Sequence, residues 1–400
     1  MDLRSHYPYW LIKNGLLTAF SSLQEHIKVD VAIIGAGISG ALIAHYLCGH
    51  DISVAVLDRR HAGMGSTAAS TALLQYEIDT PLRKLCGKIG EENAVKSYKL
   101  CLDAIYKLKD ICAELSPELA FRIIPSLQYA SYKKDVEDLQ TELELRKRHG
   151  FKVKWLEPAD IKEDFGFNAP GAILSAEGGT IDAYLMVHKI LQNCADKGHS
   201  ISSNTTVTNM EYKPRHVVLH TDTGYTVNAK KVVMACGYES LKYIPRQVAQ
   251  LQSTYALVSE PVPKQDIWYK RSLIWETKEP YTYMRVTDDN RIIMGGLDDD
   301  FSDPHLRDSQ IKRKAALLTE SFNKKFANIS IRPDFYWAGV FASTKDGLPY
   351  IGSIRERPHT YFALGFGGNG ITFSLIAAEI LKDTIMGKEN ADTAIFSFNR

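Results

Sequence analysis

The feature that most constrains this chain is a glycine-rich turn between two apolar segments, in the stretch 29-VDVAIIGAGISGALIAHYLCGHDISVAVLDRR-60. Residues 29–34 predict a strand buried on both faces, and Gly35, Gly37 and Gly40 then form the pattern G-x-G-x-x-G. The first glycine allows a tight turn, the second lets a pyrophosphate approach the backbone, and the third lets helix and strand pack closely. The pattern predicts a dinucleotide site.

The residues after the turn complete this unit. Residues 38–48 predict a helix that ends at Gly49, a possible C-cap. The helix N-terminus offers N–H groups and a partial positive charge to phosphates. A second strand at 53–57 ends at Asp58, about twenty residues after the glycines, where a carboxylate can accept ribose hydroxyls. Such a carboxylate disfavours NADP, whose extra phosphate it would repel.

Composition excludes several function classes. A chain of 400 residues suits two domains, or one large domain with a smaller one. The formal net charge of +1 gives no reason to expect nucleic acid or an anionic membrane as a partner. The apolar runs are too short to span a bilayer, and the N-terminus lacks a signal-peptide core, so we expect a cytoplasmic protein. The scattered cysteines and histidines predict free thiols and no metal site.

Two further segments decide between NAD and FAD. The loop 63-GMGSTAASTALLQYE-77 is dense in small hydroxyl residues, which can bind a pyrophosphate and a ribityl chain. Alone, it would be read as a polar, flexible loop. Near the C-terminus, however, 361-YFALGFGGNGITFSLIAAEILKDTIMG-387 again predicts a strand, a glycine turn and a helix. This second helix N-terminus would stabilise the negative charge of a reduced flavin, which favours FAD.

These segments and several others resemble the FAD-dependent D-amino-acid oxidase superfamily. The branch that looks most similar contains glycine oxidase, sarcosine oxidase and gamma-glutamylputrescine oxidoreductase. The resemblance covers nearly the whole chain, beginning with the aromatic PYW that precedes the first strand. Its further blocks are 178-GGTIDAYLMVHKIL-191, 205-TTVTNM-210, 229-AKKVVMACGYES-240, 255-YALVSEPV-262, 281-YTYMRVTDDNRIIMGGLDDD-300, 337-WAGVFASTKDGLPYIG-352 and 365-GFGGNGITFS-374.

The resemblance implies an α/β fold (α+β overall) with a Rossmann-like FAD-binding domain and an antiparallel-sheet substrate domain, both discontinuous. The FAD-binding domain is expected at 1–85, 151–250 and 336–400, and the substrate or cap domain at 86–150 and 251–335. Amphipathic helices are predicted at 91–115 and 135–149. Alternating apolar residues within about 250–335 suit the sheet of the substrate domain.

Carried over by position, the resemblance implies a set of FAD contacts. Val207 is expected to contact adenine through its backbone, and Ala235 and Gly237 to approach the cofactor from the end of a buried strand. The predicted contacts are Gly35, Gly37, Ile38, Ser39, Gly40, Asp58, Arg59, Ser66, Thr67, Ser70, Thr71, Val207, Ala235, Gly237, Gly367, Gly368, Asn369, Gly370, Ile371 and Thr372. The flavin is expected to be non-covalent, because no cysteine follows Cys236 and the loop GSTAAS holds no histidine.

The superfamily oxidises C–N bonds by passing a hydride from substrate carbon to flavin, so no dedicated acid–base residue is assigned. Candidates for the substrate pocket are Tyr255, Tyr281, Tyr283, Arg285 and Phe341. Relatives that oxidise glycine or D-amino acids usually place an arginine for the substrate carboxylate where this chain has Phe341. A small amine or an N-substituted amino acid is therefore the expected substrate.

Several alternatives remain at this stage. They are a D-amino-acid or glycine oxidase proper, with Arg285 as the anion contact, a nicotinamide dehydrogenase, and a non-catalytic flavoprotein that serves as a binding or assembly factor. The electron acceptor is oxygen or another, unidentified compound.

Overall fold

The computed structural model describes residues 2–5 and 7–400. Its strands are β1 (Arg4–Ser5), β2 (Ile27–Ile34), β3 (Val54–Leu57), β4 (Leu73–Leu74), β5 (Arg122–Tyr129), β6 (Val153–Leu156), β7 (Ala172–Thr180), β8 (Ser200–Ser202), β9 (Val207–Tyr212), β10 (Val217–Thr221), β11 (Thr226–Met234), β12 (Gln250–Pro261), β13 (Leu273–Glu276), β14 (Thr282–Val286), β15 (Arg291–Asp299), β16 (Pro333–Ser343), β17 (Tyr350–Ser353) and β18 (Thr360–Leu364).

The α-helices are α1 (Tyr9–Asn14), α2 (Ile38–Leu47), α3 (Ser66–Ala69), α4 (Leu82–Ile89), α5 (Glu91–Leu115), α6 (Val136–Arg148), α7 (Pro158–Phe165), α8 (Ala183–Asp196), α9 (Pro304–Lys325), α10 (Gly370–Ile385) and α11 (Thr393–Phe396). Short 3-10 helices lie at Pro117–Leu119, Lys133–Asp135, Gly237–Tyr243, Lys264–Asp266, Tyr269–Arg271 and Gly367–Asn369.

The eight-stranded sheet has a parallel centre, in the order β17-β18-β11-β2-β3-β8, with β10 pairing β11 and β9. Strands β18, β11, β2, β3 and β8 run parallel to one another, as the strand–turn–helix reading of the first motif requires. Successive residues of β2 face opposite sides. Ile33 packs among α2, α5, α8 and α10, whereas Ala32 packs in a separate cluster on the other side. The predicted Rossmann-like layer is confirmed.

The ten-stranded sheet follows the order β1-β16-β12-β15-β14-β13-β5-β7-β4, with β6 also pairing β7. Its pairs are antiparallel except that of β5 with β13, which is parallel, so the expected antiparallel sheet is in fact mixed. Helices α7 and α9 cover one face, where Phe165, Leu318 and Phe322 join strand residues in a second core. The predicted fold class, α/β with α+β features, is confirmed.

The predicted domain bounds stay a prediction, and the sheets and cores cross them at several points. Strands β6 and β7 and most of β16 fall in segments expected to bind FAD, but they belong to the ten-stranded sheet. Helix α5 was expected in the substrate domain, yet it shares the core of α2, α8 and α10. Hydrophobic periodicity identifies an amphipathic helix such as α5 but not the surface on which its apolar side packs.

Local predictions differ by one or two residues at the element ends. Helix α2 ends with Cys48 as its C-cap, in the right-handed region, rather than at Gly49. Helix α10 begins at Gly370, after a 3-10 turn over Gly367–Asn369. No helix among the described residues is long and apolar enough to cross a bilayer.

Candidate active site

One large cavity is lined by residues of both sheets. It measures about 360 Å³, counted as the space that the centre of a water molecule can reach. Nearly all of the predicted FAD contacts line it, as do Tyr281, Tyr283 and Phe341. Four predicted residues do not: Gly40, Thr372, Tyr255 and Arg285.

The first glycine turn is shaped by close backbone contacts. Gly35 has φ +114°, and a Cβ there would overlap the carbonyl oxygen of Ala235 at the end of β11. A Cβ at Gly40 would overlap the carbonyl oxygen of Gly35. A Cβ at Gly37 would lie 3.1 Å from Thr67 Oγ1. Gly40 therefore packs α2 against the turn and does not face the cavity. Gly37 lines the cavity and adds no side chain to its wall.

Asp58 fixes the turn through its own carboxylate. One oxygen accepts a hydrogen bond from the Ala36 N–H at 2.8 Å, and the other accepts from the Arg60 N–H at 2.8 Å. Burial raises the pKa of Asp58, while these backbone donors and the Arg60 charge oppose the shift. Arg59 and Arg60 each form an ion pair with Glu239, which lines the same end of the cavity.

Three buried donors hold the carbonyl groups of the loop that follows. The indole of Trp10 donates to Ser70 O at 2.6 Å, and that of Trp337 to Ala69 O at 2.8 Å. Arg285 donates to Ala72 O at 2.6 Å and, more weakly, to Thr71 O and Ile181 O. Trp10 of the PYW segment thus helps to hold the loop 63–77, which we call the cofactor loop, a role that local sequence patterns do not reveal.

These contacts correct one prediction. Arg285 was a candidate for the substrate pocket, but it is 4% exposed and its guanidinium is directed at backbone carbonyls. Its central carbon lies 5.4 Å from the Trp10 ring centre, and burial lowers its pKa to about 10. Arg285 is a positioning residue for the loop and does not contact the cavity.

Tyr255, the other aromatic candidate outside the cavity, is also structural. It is 1% exposed, its hydroxyl donates to Asp299 Oδ2 at 2.8 Å, and Lys314 Nζ lies 4.8 Å from its ring centre. Strand alternation explains this placement, since the ring lies among Ile311 and Ala338 on the α9 side of the sheet.

The C-terminal glycine turn meets a carboxylate that sequence reasoning missed. Asp79 Oδ2 accepts a hydrogen bond from the Gly368 N–H at 2.8 Å, close to the start of α10. A Cβ at Gly367 or Gly368 would lie 2.6 Å from an Asp79 oxygen. Asn369 donates to the carbonyls of Gln75 and Glu77 at 3.0 and 2.9 Å. Thr372 lies behind this turn and donates to Asn369 O.

Around Asp79, the cavity wall is acidic and aromatic. Tyr281 donates to Asp79 Oδ1 at 3.3 Å. Asp298, on β15, lines the cavity and has a buried Oδ1 with no hydrogen-bond partner among the described residues. Burial raises the pKa of Asp298 to about 6, and the charge of Asp79 adds to the shift. We call this wall the acidic-aromatic end: Glu77, Asp79, Trp275, Tyr281, Tyr283 and Asp298.

The opposite end of the cavity holds its positive charge. Among the described lining residues, the arginines and lysines are Arg59, Arg60 and Lys242, and none of them belongs to the acidic-aromatic end. Arg59 and Arg60 pair with Glu239, and Lys242 lies in the same 3-10 helix as Glu239. The lysines and arginines of the described lining therefore lie at the glycine-turn end, together with Asp58 and Glu239, whereas the carboxylates of the acidic-aromatic end have no lysine or arginine beside them in that lining.

The residues present fit a bound dinucleotide. Ser66 Oγ is buried in the lining without a hydrogen-bond partner among the described residues, so it is available to a ligand. Gly37 keeps the wall free of side-chain atoms, as a pyrophosphate beside the backbone requires. The six cysteines are free, and no group of three metal-binding side chains occurs in the part of the chain that the structure describes.

Comparison with known proteins decides the family. The sequence pattern of the family described as FAD dependent oxidoreductase, abbreviated DAO, matches residues 30–384. The chain belongs to this family. It is an FAD-dependent oxidoreductase, and the predicted family, enzyme class and cofactor are confirmed.

Curated relatives of this DAO-family protein include a glycine oxidase of Geobacillus kaustophilus, 24% identical over 93% of this chain and 97% of the relative. Another is gamma-glutamylputrescine oxidoreductase of Escherichia coli, 22% identical over 95% of this chain and 88% of the relative. The crystal structure of the Geobacillus kaustophilus glycine oxidase has a TM-score of 0.77 at 21% identity and covers 94% of this chain and 99% of that one. At this identity the structural likeness shows the fold alone.

Proposed function

We propose that this protein oxidises a C–N bond of a small amine or N-substituted amino acid, with FAD as the hydride acceptor. The C–H bond next to nitrogen breaks, its electron pair leaves with the hydrogen, and the nitrogen lone pair forms a C=N bond. FAD supplies the two-electron acceptor for this step. The protein binds and orients both partners and excludes water.

The polarity of the cavity supports one orientation of FAD. Asp58 would accept the ribose hydroxyls and Val207 would contact adenine, at the end that holds Arg59 and Arg60. The first glycine turn with Ser66, Thr67, Ser70 and Thr71 would hold the pyrophosphate and ribityl chain. The turn Gly367–Asn369 and the start of α10 would lie beside the flavin ring. Thr372 and Gly40 would shape these turns without contacting the cofactor.

The observation that carries the substrate class is Phe341. It lines the cavity on β16, at the position where the family resemblance implies an arginine in amino-acid-oxidising relatives. The acidic-aromatic end offers no lysine or arginine to replace that arginine, and Arg285 is engaged elsewhere. A carboxylate without a positive partner is costly to bury, so simple α-amino acids are poor substrates.

An anaerobic screen tests the proposal. FAD-loaded protein is mixed with glycine, D-alanine, sarcosine and putrescine derivatives, and flavin bleaching is followed, before steady-state rates are measured with oxygen and an artificial dye. We expect amines to bleach the flavin and glycine to do so poorly. Efficient glycine or D-alanine turnover would favour an amino-acid oxidase proper, and no bleaching by any amine would favour a non-catalytic flavoprotein.

Two further expectations accompany the function. The flavin is non-covalent, so acid precipitation leaves the yellow colour in the supernatant. Colour retained on the precipitated chain would contradict this. A cytoplasmic location also remains part of the proposal, and localisation of a tagged chain tests it.

A further inference from the structure

Two carboxylates of the acidic-aromatic end come from different parts of the fold. Asp79 follows the cofactor loop and is held by the Gly368 N–H and the Tyr281 hydroxyl. Asp298 lies near the end of β15 and faces the same cavity. Desolvation raises the pKa of both groups, and the charge of Asp79 adds to the shift of Asp298.

The Asp298 carboxylate also has hydrogen-bonding capacity that the described part of the protein does not use. Asp298 Oδ1 is buried and has no partner among the described residues, although the Thr254 side chain and the Lys314 charge favour its ionised form. Lys314 itself donates to Asp299 and to Leu297 O and does not line the cavity. A buried carboxylate oxygen without a donor is costly unless a ligand supplies one.

Glu77 gives a second, independent sign. It is 4% exposed and lines the cavity, and its Oε2 has no partner in the described part of the chain. Its other oxygen accepts from Ser175 at 2.6 Å and lies 3.6 Å from Arg146 Nη1. Arg146 also pairs with Glu142, so the charge of this arginine is shared between two carboxylates.

Aromatic rings complete the wall between these acids. The ring centres of Tyr281 and Tyr283 lie 5.8 Å apart, and those of Trp275 and Tyr281 lie 6.4 Å apart. Rings grouped around a cavity can attract an alkylammonium cation through their faces, and they pack against its methylene groups. Carboxylates and aromatic rings together favour a positively charged aliphatic ligand over an anion.

We infer that the acidic-aromatic end is a subsite for a substrate ammonium group, and that the substrate is an aliphatic diamine or polyamine. This inference rests on the proposed function and names its substrate class. The nitrogen that is oxidised must be neutral, because its lone pair forms the C=N bond. The cation that Asp79 and Asp298 bind is therefore a second nitrogen of the same molecule, which keeps its proton throughout.

Three compounds with the same number of carbon atoms test the inference: putrescine, butylamine and gamma-aminobutyrate. They differ in the group at the far end, which is an ammonium, a methyl or a carboxylate. Anaerobic titration of the FAD-loaded protein gives the dissociation constant and the rate of flavin reduction for each. For each compound, the rate of flavin reduction is divided by the dissociation constant. We expect this ratio to be at least tenfold higher for putrescine than for butylamine, and lowest for gamma-aminobutyrate.

Variants locate the effect. Asp79→Asn and Asp298→Asn should each lower the preference for putrescine over butylamine at least fivefold, through the dissociation constant. Asp300→Asn is the matched control, since Asp300 follows Asp298 in sequence but is exposed and lies outside the cavity lining. An unchanged preference in both cavity variants would overturn the assignment. The wild-type series remains decisive if a variant fails to fold.

Failure of this inference can be told apart from failure of the proposed function. Bleaching by amines with no preference for putrescine would overturn the subsite and leave amine oxidation standing. Absence of bleaching, together with a putrescine-induced flavin spectral shift that Asp298→Asn weakens, would support the subsite and overturn the oxidation. Tightest binding by gamma-aminobutyrate would overturn the subsite.

Discussion

The two ends of the cavity are built in different ways. At the glycine-turn end, a short run of sequence, Gly35 to Asp58, supplies backbone groups and the Asp58 carboxylate to the wall. At the acidic-aromatic end, Asp79, Trp275 and Asp298 come from separate segments that only the ten-stranded sheet and the cofactor loop bring together. The first end suits a ligand shared across a family. The second suits one substrate.

The largest effect should come from the glycine-turn end. Gly40→Ala places a Cβ against the carbonyl oxygen of Gly35, which is backbone and cannot move away without opening the turn. Overpacking costs up to about 3 kcal/mol in most cases, and an overlap with backbone belongs at the upper end, so FAD affinity should fall about a hundredfold, measured by fluorescence titration. Gly49→Ala, with open space around its Cβ, should bind FAD like the wild type. Equal affinity in both variants would contradict the packing role of Gly40.

Asp58→Ala should have the next largest effect. The change removes the acceptor for the Ala36 and Arg60 N–H groups and, in the proposed orientation of FAD, for the ribose. A hydrogen bond to a charged group contributes about 1.5–3 kcal/mol, so we expect FAD to bind roughly tenfold or more weakly. Asp51→Ala, at an exposed position before β3, serves as the control. Unchanged FAD affinity in Asp58→Ala would count against the assignment.

At the other end, Phe341→Arg should reverse the charge preference. A guanidinium beside the cavity supplies the missing partner for a carboxylate, so carboxylate inhibitors should bind about tenfold more tightly, within the range of a charge-assisted pair. Inhibition constants measured at constant ionic strength check this. Ser343→Arg adds the same charge at an exposed position on the same strand and should leave inhibition unchanged. An equal increase in inhibitor affinity in both variants would mean that an arginine at position 341 does not contact the inhibitor in the cavity.

The smallest effect concerns stability and pH. The pKa of Asp298 is raised from 3.8 to about 6, so the folded state holds this proton more tightly than the unfolded state. Stability therefore falls as pH rises from about 4 to about 6, and the loss persists above it. Asp298→Asn should stabilise the protein at pH 8 by about 1–2 kcal/mol, and by less at pH 4.

Thermal unfolding of variant and wild type at both pH values measures this difference. The groups acting on Asp298 are Thr254, Asp79, Lys314 and Asp299, and the variant leaves all of them in place. Asp300→Asn should show no pH-dependent gain. A stabilisation by Asp298→Asn that is larger at pH 4 than at pH 8 would contradict the direction of the shift.

Sequence reasoning reached the glycine-turn end because short-range patterns encode it. Spacing alone identified Gly35, Gly37 and Asp58, and most of the residues that the family resemblance implied also line the cavity. Their contact with FAD stays a prediction. The spacing could not show that Gly40 packs against backbone, or that Trp10 and Arg285 hold the carbonyls of the cofactor loop.

The acidic-aromatic end could not be predicted from short-range sequence patterns, and three consecutive aspartates show why. Asp298 faces the cavity, Asp299 bonds to Tyr255 and Lys314 on the other side of the sheet, and Asp300 is exposed. Only strand register separates these roles, and a shift of one residue would exchange them. Asp79 carried no pattern of its own, because its partner Gly368 is distant in sequence.

The central claim is that the substrate end of the cavity is built for a cation rather than a carboxylate. Anaerobic flavin reduction by putrescine and by glycine, in the wild type and in Phe341→Arg, tests it most directly. The account predicts that putrescine reduces the wild-type flavin much faster than glycine does, and that the ratio of the two rates falls in Phe341→Arg. Efficient reduction of the wild-type flavin by glycine, with a ratio that Phe341→Arg leaves unchanged, would contradict it.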